Sequence, residues 1–169
     1  MEERLSRTIA LVNQKGGVGK TTSSINIGAG LAKAGKKVLL VDLDPQGNLT
    51  VSLGIEAHKC EATIFELLKG DYTATEAIIK GEYDVIPADI RLSGADMELS
   101  AVPGREMLLK EALAPIAENY DYILIDCPPS LGLITLNGLT AAREIFIPLQ
   151  AEFLALNGMA QLLNTVKAV

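Results

Sequence analysis

Cysteine, histidine and basic charge are all scarce in this 169-residue chain, and each shortage removes a class of function. The cysteines, Cys60 and Cys127, stand far apart with no C-x-x-C pair. Neither a disulfide framework nor a zinc site is expected from them. The single histidine, His58, lies in a polar stretch before Lys59 and reads as a solvated surface residue. Lys and Arg number 15 against 21 Asp and Glu, a net charge of −6. That balance argues against a constitutive nucleic-acid-binding module, which carries a basic footprint. No apolar run approaches the roughly 20 residues that span a bilayer. The opening MEERLSRTIALVNQKGG lacks the apolar length and the small-residue cleavage site of a signal peptide. A cytoplasmic, reducing setting is therefore expected. There is no internal repeat and no low-complexity tract. With 49% hydrophobic and 21% charged residues the composition is globular, and the length fits one α/β-sized domain over 1–169.

Buried-strand and helix patterns alternate along the chain, which predicts a doubly wound α/β fold: a mostly parallel sheet with helices on both faces. Strands are predicted at Thr8–Asn13, Lys37–Asp42, Tyr83–Ile86, Tyr122–Ile125 and Glu144–Pro148. Lys20–Ala34 has helical spacing, with Ile25, Ala29 and Ala32 on one face and Gly35 as the C-cap. Short helices with Thr caps are predicted at Thr63–Leu68 and Thr73–Ile79, and a longer amphipathic helix over Arg105–Asn119 despite Pro115. Asp44–Thr50 reads as a loop. A helix is predicted from Asn157, still in progress at Val169. Since a helix after a strand normally feeds another strand, the chain reads as the N-terminal portion of a longer domain.

The chemistry is concentrated in Lys15-Gly-Gly-Val-Gly-Lys-Thr-Thr22, between an apolar strand and a helix. Gly16, Gly17 and Gly19 permit backbone conformations in which consecutive N–H groups, that of Val18 among them, turn around a phosphate. The helix N-terminus adds its positive dipole. Lys20 can reach the β and γ phosphates, the Thr21 hydroxyl can ligate Mg²⁺, and Thr22 can bond the α phosphate. Fixed residues at roughly 5–7% each make a chance match rare, on the order of once in several hundred million windows. A dinucleotide site would need Gly where Thr22 stands and no lysine in the turn. Asp126, after the apolar Tyr-Ile-Leu-Ile, fits a Walker B carboxylate that holds Mg²⁺ through water. Asp42 and Asp44 close another strand, and spacing alone does not separate their roles.

The general phosphate loop would begin with Gly at position 14, which is Gln here, and a second lysine, Lys15, opens the loop instead. K-G-G-x-G-K-T-T resembles the deviant Walker A box of the partitioning and positioning ATPases that include ParA/Soj, MinD and the nitrogenase iron protein. Asp42-Leu-Asp-Pro-Gln-Gly-Asn48 and Pro148-Leu-Gln-Ala-Glu152 resemble the ParA/Soj group in particular. The resemblance implies an ATPase that binds ATP and Mg²⁺ and forms a homodimer around two nucleotides. Lys15 would reach the partner's nucleotide, as an arginine finger does. Asp44 would orient the attacking water and help hold the Mg²⁺ shell, with Asp42 the more structural acid. It further implies slow hydrolysis stimulated by a ParB-like protein, non-specific DNA binding by the full-length ATP dimer, nucleoid association and no membrane contact. The segment that cradles adenine in this group lies later in the chain than residue 169. Alternatives on the same loop are a MinD-like membrane-positioning ATPase, a metal-cluster carrier ATPase, which would need bridging cysteines, and a small-molecule ligase or kinase.

Overall fold

Five short apolar runs form the sheet: β1 (Arg7–Leu11), β2 (Val38–Asp42), β3 (Asp84–Ile86), β4 (Tyr122–Asp126) and β5 (Glu144–Phe146). The computed structural model describes residues 6–150 and 163–167. The strand order is β3-β2-β4-β1-β5, and every ladder is parallel. Parallel neighbours need crossovers, and those crossovers cover both faces. Ile9, Leu11, Val38, Leu40 and Leu124 point to one face, where they meet Ile25 and Leu31 of α1 (Lys20–Lys33) and Leu49 of α2 (Asn48–Ser52). Ala10, Leu39, Val41, Ile123 and Ile125 point to the other. There they pack with α3 (Ile64–Lys69), α5 (Ala95–Glu98), α6 (Leu108–Leu113) and α7 (Leu133–Ala141). The uniformly apolar VLLVD of β2 is buried along its whole length, as a central strand covered on both sides must be. The doubly wound fold is the one expected.

Gly28 brings α1 close to the sheet, since a Cβ there would lie 2.8 Å from Leu40 Cδ2. Thr63 and Thr73 start α3 and α4 (Ala74–Ala77) through capping boxes with Glu66 and Glu76, as expected for Thr caps. The second of these helices is shorter than predicted, because Ile79 leaves it to pair antiparallel with Val85.

Two further expectations need correction. Asp44–Thr50 is not loop throughout: α2 begins at Asn48, because the buried Asp42 carboxylate accepts the Thr50 N–H at 2.9 Å and holds the first turn. Arg105–Asn119 is not one helix. Pro115 has no N–H to offer Glu111, so α6 ends at Leu113 and the chain continues as a 3-10 turn over Ala114–Asn119. No element was predicted where α7 lies, because the apolar Leu133-Ile-Thr-Leu-Asn-Gly-Leu139 lacks a polar stripe. Asn137 anchors it, donating to Arg105 O at 2.8 Å and accepting from Leu109 N at 3.0 Å, which satisfies an N–H at the start of α6. The predicted helix start at Asn157 lies outside the described residues, as do Ala151 and Glu152; residues 163–167 are helical.

Candidate functional site

β1 ends against β4, and the chain then turns back over the carboxyl edge of the sheet. Asn13 organises that turn: its Oδ1 accepts Lys15 N at 3.0 Å and its Nδ2 donates to Pro148 O at 2.8 Å, beyond β5. Gly17 and Gly19 have φ of +71° and +91°, a region costly for any residue with a Cβ. Gly16 does not, so the conformational demand falls on two of the three loop glycines. Gly19 caps α1 with no side-chain acceptor, and no acidic residue occupies the first turn. The positive end of the helix therefore faces the cleft without a competing carboxylate of its own.

Lys20 is 7% exposed, and its Nζ donates to Lys15 O at 3.4 Å, folding the side chain back under the loop. Burial lowers its pKa, an effect opposed by the charges of Asp126 and Asp44. The parallel registers set Leu11 and Asp42 on either side of Asp126, at adjoining strand ends. Asp126 is 1% exposed. Its Oδ2 accepts from Thr21 Oγ1 at 2.6 Å and its Oδ1 from Ser24 Oγ at 3.3 Å. Burial pushes the Asp126 carboxyl up to about 7; the Thr21 hydrogen bond works against that rise and the neighbouring Asp42 adds to it. Asp42 is likewise raised by burial, against its hydrogen bonds from Thr50 and Asp44. Asp44 is half-buried and turns its own loop, with Oδ1 accepting from Gln46 N at 2.9 Å.

Gly16, Gly17, Gly19, Lys20, Thr21, Thr22 and Asp44 converge on one cleft of about 390 Å³. Thr22 is exposed there, while Asp126 lies beneath Thr21. Val18 is not on the cleft wall, and Lys15 is directed elsewhere, its Nζ donating to Gln150 Oε1 at 3.1 Å. The cleft also takes in Asn48, Ser52 and Pro129, which the sequence reading gave no role, and Ser24 supports it from below. Ser24 was findable: it stands three residues after Thr21 on a helix, hence on the same face. Ser52 was not, because α2 was unseen. Hydroxyl and carboxylate oxygens are hard donors that suit magnesium. Among the described residues no group of three or more His, Cys, Asp or Glu is arranged to hold a metal. A cation here therefore takes further oxygens from a ligand or water, which is the habit of magnesium with phosphates. Cys127 is buried beside this site and burial raises its thiol pKa.

A glycine loop between a parallel strand and a helix, with a lysine and a hydroxyl at the helix start and an acid on the adjacent strand, defines a P-loop domain. Comparison with known proteins is more particular. The chain belongs to the AAA domain family, whose model matches residues 6–169. It is 54% identical over 169 residues to the sporulation initiation inhibitor protein Soj of Bacillus subtilis, covering 98% of this chain and 66% of Soj. It is 48% identical over 168 residues to the chromosome partitioning protein ParA of Caulobacter vibrioides, covering 96% and 63%. Among solved structures, the cobyrinic acid a,c-diamide synthase of Mycobacterium smegmatis with bound ATP analogue and magnesium superposes with a TM-score of 0.93 at 48% identity, over 98% of this chain and 68% of that one. The Cyanothece McdA complex with ATP gives 0.90 at 32% identity, over 96% and 64%. The chain thus spans a little under two thirds of the length of the curated relatives it matches.

Proposed function

We propose that this chain is the nucleotide-binding part of an ATP-hydrolysing dimerisation switch that partitions DNA or positions another cargo, a reading that the names of its Soj and ParA relatives support. The observation that carries it is the junction under the cleft: a buried Lys20 at the start of α1, beside a Thr21 hydroxyl bonded to Asp126 at 2.6 Å. The N–H groups of Gly16, Gly17, Val18 and Gly19 cradle the phosphates, Lys20 offsets the β and γ charge, and Thr22 bonds the α phosphate. Thr21, Asp44 and Asp126 would hold Mg²⁺, the carboxylates through water, and the ion would supply positive charge to offset that of the phosphates. Asp44 orients the attacking water. Lys15 leaves Gln150 and meets the nucleotide of a second protomer, so ATP favours the dimer through contacts that exist only in that state. Hydrolysis is slow until a ParB-like partner stimulates it. The full-length ATP dimer binds non-specific DNA and so associates with the nucleoid within the cytoplasm.

The Mycobacterium smegmatis structure, named a diamide synthase, favours a second reading: an ATP-dependent ligase on the same loop. Such an enzyme turns over ATP only with a carboxylic acid and an amine donor present. Sedimentation velocity of the full-length protein separates the two. With Asp44→Ala blocking hydrolysis, saturating ATP and Mg²⁺ should yield a dimer, and adding Lys15→Gln should leave monomers that still bind nucleotide. A persistent dimer in the double variant overturns the assignment of Lys15. A monomer at every ATP concentration with Asp44→Ala alone overturns the switch.

A further inference from the structure

Asp42 is fully buried, and among the described residues its carboxylate accepts three hydrogen bonds, all from the chain that follows it. Oδ1 accepts Asp44 N at 3.0 Å, while Oδ2 accepts Thr50 N at 2.9 Å and Thr50 Oγ1 at 2.7 Å. The Thr50 hydroxyl, also fully buried, uses its proton on Asp42 and accepts Ala88 N at 3.0 Å. Ala88 stands just beyond β3, so a single hydroxyl ties the β2 acid to the neighbouring strand end. Between the two clamped points the chain folds tightly. Gly47 N donates to Asp44 O at 2.8 Å, and Gly47 has φ +61° with so close an approach to Ala88 that a Cβ would lie 2.9 Å from its carbonyl oxygen.

A buried carboxylate beside a second one, Asp126, is a costly way to fill space, and an apolar side chain would fill it without that cost. Asp42 stays compatible with burial only because the loop supplies its donors, so loop shape and carboxylate depend on each other. We propose that Asp42 and Thr50 are positioning residues: they clamp both ends of the 44–50 segment and hold Asp44 at the cleft wall. This rests on the reading above that Asp44 acts on the terminal phosphate. Neither residue lines the cleft, so loss of the clamp acts on the chemical step and leaves nucleotide binding by the 15–22 loop nearly unchanged.

The decisive variant is Thr50→Val, which keeps the shape but leaves Ala88 N unpartnered and removes one donor from Asp42 Oδ2. Thr50→Ser restores the hydroxyl. Asp42→Asn is a second, independent cut, because its amide must turn an NH₂ toward the Thr50 donors or toward Asp44 N. In the full-length protein, amide hydrogen exchange of the 44–50 segment without nucleotide should speed up about tenfold or more in Thr50→Val and Asp42→Asn. At saturating ATP and Mg²⁺ kcat should fall about tenfold to a hundredfold, while affinity for a fluorescent ADP analogue stays within about threefold and Thr50→Ser recovers both properties. Unchanged exchange in a folded variant, or a loss of kcat no larger than the loss of folded protein, overturns the clamp. If Thr50→Val does not fold, the Asp42→Asn and Thr50→Ser pair decides by the same measures. Absence of ATP turnover in the wild type would sink the reading of the site instead, and the exchange data would still decide the clamp.

Discussion

Lys20 and Asp126 have 7% and 1% of their surfaces in water, and burial drives each toward its neutral form. On the reading proposed above, phosphate would pair with Lys20 and magnesium with Asp126, and both burial costs would fall on binding. Asp126 provides a measurable sign. Its folded pKa, about 7, lies above the ordinary 3.8, so between those values the folded chain holds a proton that the unfolded chain has released. Stability from this group is therefore present at low pH and lost as pH rises from about 4 to about 7. In urea unfolding of the nucleotide-free, magnesium-free protein, Asp126→Asn should gain on wild type across that interval, by on the order of 1–3 kcal/mol at pH 8 relative to pH 4. A difference that does not change with pH would mean that Asp126 is ionised in the empty site. Lys20, Thr21 and Asp126 were legible as residues, since few other chemistries want those types at that spacing. The Thr21–Asp126 hydrogen bond was not, because the two are separated by 105 positions in the chain.

Among the elements, those marked by a helical period, a Thr cap or a short apolar run between turns were readable, and α2 and α7, which lack such marks, were not. Each of the five strands was foreseen, and α1 began and ended within a residue or so of expectation. The helix α7 escaped because every side of it is covered, so no polar face marks a period. Its middle is set by close approach. A Cβ at Gly138 would stand 2.7 Å from Cys127 Sγ and 3.1 Å from Leu43 Cδ1. Neither neighbour can swing aside, since both are buried. Gly138→Ala should therefore destabilise the fold by roughly 1–3 kcal/mol in urea titration, although alanine is the better helix former. Adding Cys127→Ala should recover part of that loss by removing the obstructing sulfur. A neutral or stabilising Gly138→Ala would mean that α7 packs less tightly on β4 than described. The same packing buries Cys127.

For the whole molecule, charge and sheet order matter most. A net charge of −6 repels polyphosphate backbones, and the cationic side chains at the site are committed to local partners, Lys15 to Gln150 and Lys20 to its own loop. The 169-residue chain alone should bind duplex DNA weakly, with Kd above about 10⁻⁵ M by fluorescence anisotropy at physiological salt, and more weakly still as salt rises. Tight binding under those conditions would place a DNA surface within these residues. Residues 15–22 specified a phosphate loop without help from the fold, because backbone conformation, helix start and lysine reach are all local properties. The strand runs likewise specified a parallel α/β architecture, since only two-sided burial tolerates such continuous apolar segments. Long-range order supplied the remainder. Placing β4 between β1 and β2 brought Asp126 beneath Thr21 and beside Asp42. Closing Thr50 onto Asp42 and Ala88 turned an apparent loop into a braced one. Apart from the eight-residue closure of Thr50 on Asp42, those contacts join residues far apart along the chain, and the energies of all of them depend on burial that exists only once the layers have packed.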